Sequence, residues 1–306
     1  MTPPTVAMLN LEWHDAARER RVPVRIYYPE TGGDRLPVIV FSHGVGGTRG
    51  GYSFLGSHWA SQGYVCVHPE HLGSNAAVWQ AERDPMAALR NAATDKANAV
   101  NRVGDVRFTI DQLTPLHETP GPLHGRLNLA RVGAAGHSFG AATTLGAVGQ
   151  RIADAEGREH LLVDARIRAA VVLSPSAPRH KDRLGPLYAA IRVPILHITG
   201  TLDESPIGLT SAVERRTAFD HIDSADQYLA IFRDADHMTF TDVKRSRLGR
   251  ERQAAVHPLV QTITTLFWDA FLRDDRRADL AQRLQDVVGD AGTLESKTPG
   301  LSPGLK

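Results

Sequence analysis

A single cysteine, Cys66, stands among 306 residues, so an intrachain disulfide is impossible and no cysteine cluster can hold a metal. It lies in Gly63-Tyr64-Val65-Cys66-Val67, which predicts a buried strand and a core thiol rather than a nucleophile. No apolar run approaches the roughly 18 residues needed to span a membrane. The N-terminus, Met1-Thr2-Pro3-Pro4-Thr5, has neither the basic stretch nor the long apolar segment of a secretory leader. The expectation is therefore a cytoplasmic protein, or a secreted one whose leader has been removed. An excess of charge of one sign is also missing. Lys and Arg total 35 against 34 Asp and Glu, a net charge of +1, which leaves no footprint for nucleic acid. No His-x-x-x-His pair or cysteine cluster with metal-ligand spacing occurs, so neither a metal nor a cofactor is expected. Internal repeats, heptads and linkers are absent as well. A single domain over residues 1–306 is expected, with its core at about 9–290 and a frayed tail from Thr293. Nothing in the sequence specifies an oligomeric state.

What is present alternates. Val22, Val24 and Ile26 interleave with Pro23 and Arg25, as in a half-exposed strand, and Asp15 to Arg20 predicts a hairpin connection at a sheet edge. Leu36-Pro37-Val38-Ile39-Val40-Phe41 is a continuous apolar run, the mark of a central parallel strand. Ser53 to Ser61 predicts a short helix, and Tyr64 to His68 the next strand. The stretch to about Ala93 reads as irregular. Val100, Val103, Val106, Ile110 and Leu113 then mark one apolar helical face, which Thr114-Pro115 is expected to stop. Further strands are expected at Ala169 to Leu173, Val193 to Thr199 and Tyr228 to Phe232, and a helix from about Arg252 to Phe271. Alternation of this kind predicts a mostly parallel sheet with helices on both faces, and ligands then bind at the carboxyl ends of the strands.

The chain is organised around Gly136-His137-Ser138-Phe139-Gly140. The apolar residues before it suit a buried strand, and the small residues after it suit a tightly packed helix. That is the setting of a nucleophile elbow, in which a sharp turn lifts a serine to the sheet edge. An ordinary glycine-rich turn has the same spelling, so the rest of the chain must decide.

A serine hydroxyl needs a base, and the base needs an orienting carboxylate. In an elbow fold the chain order is Ser, then acid, then His. Asp203 and His237 each follow a separate predicted strand, in that order, after Ser138. His221 precedes the last strand and so falls on the wrong edge. His257 adjoins Pro258 in a helix, and His43 and His137 come before the acid. Asp234 and Asp236 are too near His237 in sequence to lie behind its ring. The oxyanion donors expected are the N–H of Phe139 and that of Val45 in the loop His43-Gly44-Val45-Gly46, with Gly44 as the fallback. Gly44, His71, Trp79 and Met238 are the expected substrate contacts.

Phe41-Ser42-His43-Gly44-Val45-Gly46 together with Gly136-His137-Ser138-Phe139-Gly140-Ala141 resembles the α/β-hydrolases that include platelet-activating-factor acetylhydrolases and dienelactone-hydrolase-like esterases. The similarity covers roughly residues 12 to 272. Gly200 to Pro206 and Asp236-His237-Met238 look like its bacterial branch. The resemblance implies an α/β-hydrolase fold and a serine carboxylic-ester hydrolase with Ser138, Asp203 and His237 as triad. The chain departs from the family in two places. Animal acetylhydrolases take their acid from the strand end matching about Ser174 here, and dienelactone hydrolases use cysteine where Ser138 stands. The expected substrate is a small to medium acyl ester. A lipase-like or polyester- and cutin-type hydrolase is the alternative within enzymes, and a non-catalytic ligand-binding α/β-hydrolase fold is the alternative outside them.

Overall fold

A computed structural model describes residues 5–32, 34–178, 183–243 and 247–299. The chain opens with the expected edge hairpin, β1 (Val6–Asp15) antiparallel to β2 (Arg20–Pro29). β3 (Leu36–Ser42) is buried at every position, as its unbroken apolar run requires. α1 (Ser53–Ser61) follows, and then β4 (Val65–Pro69). Burial pushes the Cys66 thiol on β4 well above its ordinary pKa, consistent with an inert core residue.

The stretch read as irregular contains two helices, α2 (Ala77–Gln80) and α3 (Pro85–Thr94). Neither has an apolar stripe, because α2 buries nothing and α3 buries only Ala92. Asp84 nevertheless caps α3 by accepting from Ala87 N at 3.0 Å, with Pro85 in the first turn. α4 (Lys96–Asp111) is the expected helix, and its buried face holds Val103, Val106 and Ile110 of the stripe beside Asn98, Arg102, Asp105 and Thr109. Pro115 does not end the helical region. It sits in the first turn of α5 (Leu113–Glu118), where a missing N–H costs nothing.

β5 (Leu127–His137) leads into α6 (Phe139–Val148). A small hairpin, β6 (Ile152–Ala153) with β7 (Glu159–His160), precedes β8 (Ile167–Leu173). α7 (Leu184–Tyr188), β9 (Ile195–Leu202), α8 (Thr217–His221) and β10 (Gln227–Asp236) follow. The long α9 (Arg247–Leu272) and α10 (Leu280–Val288) come next. The expected frayed tail is corrected over its first part. Gly292–Lys297 forms β11, antiparallel to β10, while residues 300–306 lie outside the described residues. Backbone pairing to an exposed sheet edge holds this polar segment, without an apolar run of its own.

The main sheet has the order β1-β2-β4-β3-β5-β8-β9-β10-β11. β4, β3, β5, β8, β9 and β10 run parallel, and antiparallel strands close both edges. Alternate side chains of β3 enter opposite layers. Ile39 and Phe41 pack in the layer with Trp59, Phe267 and Trp268 of α1 and α9. Val38 and Val40 pack in the layer with Val103, Val106 and Leu145 of α4 and α6. Every parallel strand therefore delivers its carboxyl end to one common edge.

Candidate active site

Ser138 separates β5 from α6 with φ 56° and ψ −117°. A non-glycine residue at positive φ stores of order 1–3 kcal/mol, which the surrounding packing must hold. Two glycines make the turn possible. A Cβ on Gly136 would lie 2.2 Å from Gly140 O, and one on Gly140 would lie 1.9 Å from Ser42 O. Any side chain at either position would drive α6 away from the strands.

His237 stands in the turn just after β10, and Asp203 just after β9. The structure brings both to Ser138. His237 Nε2 lies 3.0 Å from Ser138 Oγ, and His237 Nδ1 lies 2.8 Å from Asp203 Oδ1. A carboxylate only accepts, so Nδ1 carries the proton and Nε2 faces the serine as an acceptor. Thr199 Oγ1 donates to the other Asp203 oxygen at 2.7 Å and fixes the carboxylate plane. Asp203 is fully buried and His237 nearly so. Burial lowers the His237 pKa below the ordinary imidazole value; Asp203 opposes that shift and the Arg215 charge adds to it. Two of the histidines set aside from sequence lie away from Ser138. His257 donates from Nε2 to Thr239 O at 2.8 Å, and His221 is exposed at the end of α8.

Ser138, Val45 and Phe139 line one cavity of about 380 Å³. Among the described residues, neither the Val45 N–H nor the Phe139 N–H has a protein acceptor. Phe139 is the first residue of α6, so its N–H has no helical partner by construction. The fallback donor is corrected. Gly44 N–H is turned to Tyr52 Oη at 3.3 Å and Gly44 does not line the cavity.

Three other expected contacts are corrected. His71 is completely buried. Its Nδ1 lies 3.0 Å from Asp105 Oδ2 and its Nε2 3.1 Å from Ser42 Oγ, so the ring braces the loop from behind and meets no ligand. Burial holds the His71 pKa down at about 4. Burial also pushes Asp105 up, yet hydrogen bonds from His71 and Arg20 outweigh that and bring it to about 2. Trp79 lies outside the cavity lining, and its Nε1 donates to Gly46 O at 2.9 Å, which steadies the loop that carries Val45. Met238 is half-buried in the turn after β10 and also outside the lining.

Two buried arginines escaped the sequence reading. Arg102 of α4 donates from Nε to Thr143 Oγ1 at 2.8 Å, from Nη1 to Ser74 Oγ at 2.8 Å and from Nη2 to His43 O. Its guanidinium also lies over the Phe139 ring, 4.5 Å from the centroid. One side chain thus ties the Val45 loop to the start of α6. Arg215 donates from Nε to Asp203 O at 3.0 Å and from Nη1 to Ser174 O at 2.9 Å, and its Nη2 lies 3.1 Å from His237 Nδ1. The only sequence signal for Arg102 is a charge inside the apolar stripe of α4. Arg215, between Glu214 and Arg216, has the spelling of a solvated surface. Among the described residues, no group of three or more His, Cys, Asp or Glu is arranged to hold a metal, and no helix is long and apolar enough to cross a membrane.

A mostly parallel sheet, helices on both faces and a serine at a strand-to-helix turn on its carboxyl edge define an α/β-hydrolase fold. Within that fold the chain resembles one family in particular. Residues 5–102 match the family described as platelet-activating factor acetylhydrolase, isoform II. The chain is similar to the platelet-activating factor acetylhydrolase of Cavia porcellus, with 27% identity over 190 residues, 51% of this chain and 38% of that protein. It is also similar to that of Canis lupus familiaris, with 27% identity over 146 residues, 39% of this chain and 33% of that protein. The matched region spans well under half the length of these relatives.

Proposed function

We propose that the chain is a serine carboxylic-ester hydrolase for small to medium acyl esters. Ser138 Oγ attacks the ester carbonyl carbon. His237 Nε2 takes the serine proton and then gives it to the departing alkoxide. Asp203 holds the Nδ1–H tautomer and balances the imidazolium. The Val45 and Phe139 N–H groups donate to the carbonyl oxygen as it becomes an oxyanion. Water then attacks the acyl-serine, with His237 again the base, and regenerates Ser138.

The observation that carries this reading is the unbroken chain from Ser138 Oγ through His237 to Asp203, at 3.0 Å and 2.8 Å, opening on a cavity of about 380 Å³. That volume lies at the small end of the range for ligand sites, which favours short acyl groups. The relatives named acetylhydrolases support the same substrate class by analogy. The test has two arms. A fluorophosphonate probe is expected to label the protein one-to-one, and p-nitrophenyl esters of increasing acyl length are expected to give their highest kcat/KM at short to medium chains. An unlabelled protein refutes the enzyme. A maximum at long chains refutes the size class.

Val45→Pro tests the loop donor. Proline has no N–H, and loss of one oxyanion donor typically costs about 10²–10³ in kcat. A loss of that order is expected with a smaller change in KM, while Val45→Ala stays within about tenfold. Both variants must first show wild-type circular dichroism and melting. A folded, fully active Val45→Pro protein removes Val45 from the site.

The pH profile tests the base. His237 must be neutral, and its depressed pKa means that it takes a proton only at lower pH. The acid limb of kcat/KM is therefore expected below the free imidazole value of about 6.5. The groups facing the ring are Asp203, Arg215, Asp236 and the neutral ring of His137 at 4.6 Å. Arg215→Met removes the positive charge that opposes the imidazolium, so its limb is expected to move to higher pH, while Arg215→Lys stays nearer wild type. A limb that moves to lower pH in Arg215→Met contradicts the electrostatic assignment.

A further inference from the structure

The amino ends of the strands face away from Ser138 and carry a second, larger cavity of about 630 Å³. Arg131 on β5 and Ser138 are seven residues apart, which at about 3.3 Å per strand residue separates the two sites by roughly 23 Å. Consecutive strands each bring an arginine to this edge. Arg131 is on β5, Arg168 on β8, and Arg192 lies just ahead of β9; Arg277, after α9, completes the lining. Val132 pairs with Ile167 and Ala170 with Ile195, so the three strand-edge arginines stand within a few residues of one level. Neighbouring strands are about 4.8 Å apart, and like charges facing each other across strands repel.

Nearby acids do not neutralise this gathering. Arg131 and Arg277 share one carboxylate, Asp274, which lies outside the lining, and among the described residues the acid in the lining is Asp226. Among the described residues, Arg168 and Arg192 pair with no carboxylate. Four guanidiniums therefore meet two acids. Three of the four are also held in position. Asp274 anchors Arg131, the carbonyls of Ala189 and Ile191 hold Arg192 Nη1 at 2.6 and 2.9 Å, and Arg277 lies over the Phe271 ring at 4.6 Å. Planar forks fixed in advance suit the oxygens of phosphate and carboxylate groups. A cavity of this volume has room for a small molecule.

We propose that this cavity is a binding site for a small polyanion, a molecule bearing a diphosphate, a phosphate or clustered carboxylates. An anion there relieves the repulsion among the arginines and satisfies N–H groups that the protein leaves free. The proposal is independent of the hydrolytic reading, because the two sites occupy opposite edges of the sheet.

Thermal unfolding of the full chain in pyrophosphate, against chloride at equal ionic strength, tests it. A saturable rise in Tm is expected for wild type. Arg168→Ala combined with Arg192→Ala, read against its own Tm in chloride, is expected to need at least about tenfold more pyrophosphate for the same rise. Arg168→Ala alone, at a side chain with no ion pair to lose, serves as the variant that keeps its fold. Val45→Pro, which removes an oxyanion N–H, is expected to respond as wild type does, which separates this site from the oxyanion donors. Co-sedimentation with phosphatidylglycerol vesicles forms the second arm. Vesicle binding that the arginine substitutions abolish, without a response to free pyrophosphate, assigns the phosphate to a lipid headgroup. A response to pyrophosphate without vesicle binding assigns it to a soluble ligand. An equal response in the double variant, or no response to either probe, overturns the proposal.

Discussion

Ser138→Ala is expected to lose about 10⁴–10⁶ in kcat toward p-nitrophenyl esters, and the fluorophosphonate label to disappear with it. The loss is large because the rest of the site has nothing else to activate. His237 Nε2 faces Ser138 Oγ at 3.0 Å, and the two free N–H groups act only on charge that the attack itself creates. KM is expected to change little, since the cavity keeps its shape. The fold should survive, because the Ser138 N–H still donates to Leu173 O and alanine adds no atoms to the turn. The strain at φ 56° remains, so melting stays near wild type. Retained labelling, or a kcat within about tenfold of wild type, moves the nucleophile elsewhere.

Asp203→Asn is expected to lose about 10⁴ in kcat, while Asp236→Asn stays within about tenfold. The contrast rests on which proton each carboxylate controls. An amide at position 203 can turn its NH₂ toward His237 Nδ1, and the imidazole then carries its proton on Nε2, where it cannot receive one from Ser138. Asp203 is also buried against Thr199 and Arg215, so the neutral side chain leaves the Arg215 cation without its acid. Asp236 instead caps the turn that carries His237. Its Oδ1 accepts from Met238 N at 3.0 Å and Thr239 N at 2.9 Å, and its Oδ2 pairs with Arg252 at 2.9 Å. Asparagine keeps the capping oxygen and loses chiefly a partly exposed ion pair, worth up to about 1 kcal/mol. The opposite ranking makes Asp236 the acid.

The central strands and their order along the chain are legible because burial on both faces demands unbroken apolar runs, as in β3. The elbow is legible only together with the acid and histidine that follow it in chain order, because an ordinary glycine-rich turn has the same spelling; the structure adds that only glycine fits at 136 and 140. Ser138, Asp203 and His237 stand out through position alone, each at the carboxyl end of a different strand. Elsewhere the signal fails for physical reasons. α2 and α3 bury too little to show a period, and β11 is held by backbone pairing to a distant edge. The strand-end rule puts His71 on the correct side of the sheet, but it says nothing of where a ring turns, and Asp105 draws this one inward. Arg102 and Arg215 find acceptors many residues away. No local pattern marks a cation whose partners are carbonyls and hydroxyls on other segments.

Arg102 has a further consequence for anyone wishing to reshape the cavity. Its acceptors come from three separate segments: the loop after β3 at His43, the loop after β4 at Ser74, and α6 at Thr143. These segments are therefore not interchangeable modules. A grafted loop that lacks the matching carbonyl or hydroxyl would leave a fully buried cation short of a partner, a defect that costs several kcal/mol. Enlarging the site by point substitutions at its apolar lining, such as Ile152 or Ile207, leaves that junction intact.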